Sequence, residues 1–148
     1  MTCDVRVRQL FPNLRGGDFK ETSNQTDEYN CIAYAAGDHD NWWWPDPDGF
    51  WPAEAPMEET IDAFVQAYRT RNFELSDDAD LDPQYEKIAI YANNLGHPKH
   101  AAKQLPSGKW SSKLGKEWDI SHDSYQGVEG NLYGFVVQFM KRPRIDDL

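Results

Sequence analysis

Apolar positions along this chain change their period once. Between 57 and 71, Ile61, Phe64, Val65 and Tyr68 recur every three or four residues, which is the spacing of one helix face. Glu58 and Glu59 precede them and Arg69 and Arg71 follow, charges that suit the two ends of a helix dipole. From 85 onward the apolar runs are shorter and richer in β-formers. Segments 85–92, 99–105, 109–114 and 133–140 read as strands, with turns at 93–98 and 106–108. A shorter helix of small residues begins near Cys31 and stops at Gly37, with Thr26, Asp27 or Asn30 as its cap. Residues 1–29 read as an entry segment, 76–83 as a solvated acidic loop and 115–125 as a bent connector. Helices first and antiparallel strands after give an α+β fold, N-terminal helices packed on a C-terminal antiparallel sheet. No repeat or linker divides the chain, so residues 1–148 are expected to form a single domain with its core over about 11–143.

Composition narrows the functional classes. The chain carries 15 basic and 25 acidic residues, a net charge of −10. Nucleic acid and anionic membranes bind clustered lysine and arginine, so neither is an expected partner. No apolar run approaches the length of a membrane span and the first residues carry no export pattern, so the expected location is cytoplasmic. The two cysteines, Cys3 and Cys31, are then expected as thiols. Metal-ligand spacings are missing, as are Gly-rich phosphate loops, so neither a metal nor a cofactor is expected.

The remaining chemistry gathers around Cys31. A cysteine at a helix start meets free N–H groups that lower its pKa and can hold an oxyanion. His100, on a later strand, is the residue that can serve as its base. Asp119 or Ser112 is placed to orient that ring, and Gln25, six residues before Cys31, to assist the oxyanion. The opposing reading is that Cys31 is a small buried hydrophobe. Trp42, Trp43, Trp44 and Trp51 form an aromatic, proline-rich loop, read either as a lid on the core or as a wall beside a pocket.

These residues also carry a resemblance. The block Tyr29-Asn30-Cys31-Ile32-Ala33, the run Trp42 to Pro45, the stretch Glu86 to Ala92 and the pattern from His100 to His122 resemble DUF7689, a bacterial domain family of unknown function. The likeness covers about 11–143, with Tyr34 and Lys103 standing where the family has tryptophan and arginine. A weaker similarity links the order Cys31, His100, Trp110 to papain-like proteins of the NlpC/transglutaminase-like kind. It implies a papain-like core and a small thiol hydrolase or transferase acting on an amide, thioester or ester carbonyl. Asn30, Trp42, Trp43, Trp44, Trp110, Lys113 and His122 would then line the site of a small-molecule or peptide substrate. The alternative is a non-catalytic acidic protein that meets a basic protein partner through its tryptophan loop.

Overall fold

A computed structural model of the chain describes residues 3–14, 19–23, 25–114 and 117–144. In chain order its elements are α1 (Cys3–Leu10), β1 (Phe19–Ser23), α2 (Cys31–Ala36), α3 (Ile61–Arg69), β2 (Glu74–Ser76), β3 (Tyr85–Ala92), β4 (Pro98–Gln104), β5 (Trp110–Lys113), β6 (Asp119–His122) and β7 (Phe135–Pro143). Short 3-10 turns follow α1 and β6. The seven strands make one sheet in the order β1-β6-β5-β4-β3-β7-β2, every neighbouring pair antiparallel. The fold is α+β. The strands at both edges, β1 and β2, precede the other five in the chain, so the sheet is not wholly C-terminal as the hydrophobic pattern suggested.

Directly opposed residues in an antiparallel pair share a face, so the register sorts the sheet into two sides. Ile88, Ile90, Ala101 and Met140 face one core, with α2, α3 and the tryptophan loop packed over them. Ala89, Tyr91, Ala102, Trp110 and Ile120 face the other, covered by α1 and the two 3-10 turns. Two cores on opposite sides of one sheet are the feature that decides the chemistry below.

Each helix has a local reason to begin. Thr60 caps α3, its hydroxyl accepting from the Ala63 N–H at 3.1 Å, so Met57 to Glu59 lie before the helix rather than in it. Asn30 caps α2 through the Ala33 N–H at 3.1 Å. Gly37 ends that helix at φ 87°, a left-handed conformation in which its N–H reaches Tyr34 O. The entry segment contains α1, which buries Cys3 and Val7, four residues apart on one face. The stretch read as a connector contains β6; Asp119-Ile120-Ser121-His122 has little β pattern of its own and is held by pairing with β1 and β5.

β2 covers β7 only from Phe139 to Lys141, and the open stretch before it is closed without another strand. A bulge at Val137 shifts the register between β7 and β3. Beside it the Val136 N–H donates to Glu129 Oε2 at 2.9 Å, and Ser76 of β2 pairs with Phe139.

Candidate functional site

Cys31 opens α2 and is 7 % exposed, inside the first core. The strand position it meets is Ala101: the backbone of Ala101 reaches the thiol, with the Ile32 N–H and the charge of Lys113 nearby. Burial outweighs these and pushes the Cys31 thiol up to about 11. Cys3, buried in the other core with Glu21 close by, is also raised to about 11. Both thiols are free, and the sheet stands between them. A helix start lowers a thiol pKa only while the site admits solvent or a counter-charge; here desolvation wins.

His100 pairs with Tyr91 across β4 and β3, on the face opposite Cys31. It is fully buried and its ring stacks on Tyr133 at 4.0 Å with 2° between the planes. The expected Cys31–His100 pair is therefore not formed: the two side chains enter separate cores. The same alternation separates Asp119 from His100. Asp119 pairs with Lys113, which lies on the Cys31 face, whereas Ser112 pairs with Ile120 on the His100 face. Asp119 instead receives the Tyr29 hydroxyl at 2.9 Å. Gln25 is exposed, in irregular chain before α2.

What the structure does bring together is a buried relay. Ser112 Oγ lies 2.9 Å from His100 Nε2 and 2.8 Å from His122 Nε2. His122 Nδ1 lies 2.7 Å from the Ser124 carbonyl, which can only accept, so the proton sits on Nδ1 and Nε2 accepts. Ser112 must then donate to His122 and accept from His100 Nε2–H. That leaves His100 Nδ1 a bare lone pair, and it is a buried nitrogen without a hydrogen-bond partner. Both rings are neutral: burial first, and then the neighbouring His122, holds His100 well below its ordinary value, and burial brings His122 down to about 4. Trp110, 3 % exposed, packs on this side against Tyr125 and Phe139.

The Cys31 face has its own polar cluster. Lys113 is fully buried and donates to the carbonyls of Thr26 and Glu117. Burial lowers its pKa and Asp119 partly restores it. Tyr34 meets Ser111 Oγ at 2.7 Å, with Lys103 Nζ 4.2 Å above its ring. Tyr29, Tyr34 and His39 stack within 6 Å of one another. Sequence reasoning passed over Tyr29, Tyr34 and Tyr133; Tyr34, three residues after Cys31, had a helical spacing that marks the same face.

The tryptophan loop belongs to the core. Trp43 is fully buried, stacked on Tyr68, while Trp44 and Trp51 pack on Phe64. Asn30 and Asp38 bind Trp43 from both ends. Asn30 Nδ2 donates to Trp43 O at 2.7 Å and Oδ1 accepts from Trp43 N at 3.0 Å, while the indole N–H donates to Asp38 Oδ2 at 2.8 Å. So Asn30, Trp43 and Trp44 serve architecture, and Trp42 is half-buried beside them. Among the described residues no group of three His, Cys, Asp or Glu side chains is arranged to hold a metal, and no helix is long and apolar enough to cross a membrane.

Comparison with known proteins gives one match. A family model described as a domain of unknown function (DUF7689) covers residues 20–141. No curated protein and no solved structure matches. With most of its length inside that family's model, from β1 through β7, the chain belongs to the DUF7689 family.

Proposed function

We propose that this domain is a non-catalytic binding protein, an acidic module that engages a basic polypeptide partner. The observation that supports this reading is the environment of Cys31. A thiol hydrolase needs its base within about 4 Å of the sulfur, in one cavity. Cys31 confronts Ala101 and keeps its proton in a closed core, while His100 lies across the sheet.

The chain's net charge of −10 sets the sign of the partner. The tryptophan loop offers it little, because Trp43, Trp44 and Trp51 pack into the core, Trp42 is half-buried and Phe50 is the large apolar side chain the loop exposes. The test is alkylation of the native protein by iodoacetamide near neutral pH. Cys31 and Cys3 are both expected to react slowly, and both quickly after unfolding. Rapid modification of native Cys31 would return the domain to the thiol enzymes.

A further inference from the structure

Exposed apolar side chains are not scattered evenly over this domain. Of nine large hydrophobic residues exposed among the described residues, Leu75, Leu95, Leu132, Phe135 and Val137 lie on or beside β7. Leu95 is 78 % exposed and Phe135 57 %. Isolated exposed leucines are ordinary, but five large apolar side chains gathered on and beside one strand mark a contact surface.

Four of the five line a row of three depressions beside β7, a discontinuous trough. One depression of about 340 Å³ has Asn93, Leu95, Asn131 and Phe135 in its walls. The next, about 280 Å³, begins at Val136 and Val137 and reaches Ser76 and Asp77. A third, about 370 Å³, shares Ser76 and Asp77 and continues past Asp78, Asp80 and Asp82. One end is thus uncharged, with Leu95 and Phe135 set among asparagines, and the other is acidic. Two lysines stand at the acidic end, both engaged: Lys87 with Asp78 at 2.7 Å, and Lys141 over the ring of Tyr85 at 4.7 Å. Exposed Asp77 and Asp80 carry the charge offered outward.

From this we infer that the trough docks a segment of a partner polypeptide, with apolar side chains against Phe135 and Leu95 and a lysine or arginine against Asp77 and Asp80. The inference rests on the binding reading above and gives it a place and a ligand chemistry. Charge selects this occupant over a second copy of the chain, which would bring −10 against −10. Backbone geometry selects the mode. With the Val136 N–H held by Glu129 and Val137 in a bulge, a β strand has no regular ladder to join, so side chains must hold the partner.

The probe is a displayed library of short random peptides selected on the intact protein at low salt. Enriched peptides are expected to combine an apolar cluster with lysine or arginine. Phe135→Ser is expected to weaken them about tenfold, and Asp77→Asn with Asp80→Asn to flatten their salt dependence. Phe135 is exposed, so unchanged circular dichroism separates lost contact from lost fold, and Phe50→Ser is the matched control. Peptides indifferent to Phe135→Ser but sensitive to Phe50→Ser would overturn this site and leave the binding reading standing. A concentration-dependent dimer abolished by Phe135→Ser would overturn it in favour of self-association. No enrichment with slow Cys31 alkylation would overturn the trough alone; no enrichment with fast alkylation would sink the binding reading as well.

Discussion

Asn30 holds Trp43 by its main chain on both sides, accepting from its N–H at 3.0 Å and donating to its carbonyl at 2.7 Å. The same Asn30 oxygen caps α2 through the Ala33 N–H. One amide therefore fixes where the helix starts and where the tryptophan loop crosses it.

Replacing Asn30 by alanine removes a helix cap and leaves two buried backbone groups of Trp43 unsatisfied. A cost of about 3–5 kcal/mol follows. Asn30→Asp keeps the acceptor but cannot donate to the Trp43 carbonyl, so it should fall between the two. Urea unfolding followed by tryptophan fluorescence reads both, and an Asn30→Ala cost under about 1 kcal/mol would contradict the clamp.

Acid should destabilise the fold early. His100 and His122 are neutral in the native state with depressed pKa values, so the unfolded chain takes up protons first as pH falls. Stability contributed by neutral burial is complete above about 6.5, the unfolded value, and declines below it. For His122 the decline runs down to its folded value of about 4, and His100, also held well below its ordinary value by burial, declines in the same direction. At most about 1.4 kcal/mol is lost per pH unit for each ring. Replicate unfolding curves between pH 7 and 5 should show a slope that rises toward about two protons by pH 5, and a flat profile would mean the rings are already charged.

Ser112 joins the two rings and has no equivalent substitute. Ser112→Ala strands the His100 Nε2–H and the His122 Nε2 lone pair in a dry core, at about 2–4 kcal/mol. Ser112→Thr keeps the hydroxyl, so recovered stability in that variant would separate the lost hydrogen bonds from crowding.

Asp38 acts in the same sense, over the lower pH range where carboxylates titrate. Burial works against its charge, but hydrogen bonds from Asn41, the Asp40 N–H and the Trp43 indole outweigh it and hold the carboxyl below its usual value. Its contribution is present above the unfolded carboxylate range and is lost as pH falls through the lowered value. Asp38→Asn should cost about 1–2 kcal/mol at neutral pH and less in acid, measured as a difference in urea midpoint at the two pH values.

The hydrophobic pattern carried the fold class, the α3 helix and the four central strands, because period and turn residues are local signals. It did not carry β1 or β2, whose pairing partners lie far along the chain, nor β6, four residues held between nearby β5 and distant β1. Residue type alone also brought Cys31 and His100 into one site. What decides the question is parity: Tyr91 opposes His100 and Ile90 opposes Ala101, so His100 and Ala101 enter different cores. A shift of one residue in β4 would have put the histidine against the cysteine. No feature of 98–105 read alone sets that register; the β3 partner and the two buried faces do.

Glu129 has a further consequence, for solubility. An open strand edge next to exposed Phe135 and Val137 is a template for fibre growth. The carboxylate on the Val136 N–H and the bulge beside it deny that template its first regular hydrogen bond. Glu129→Ala is expected to leave the monomer folded yet shorten the lag before it scatters light on gentle heating. The domain thus keeps an apolar surface in water by spending one acidic side chain on the strand that bears it.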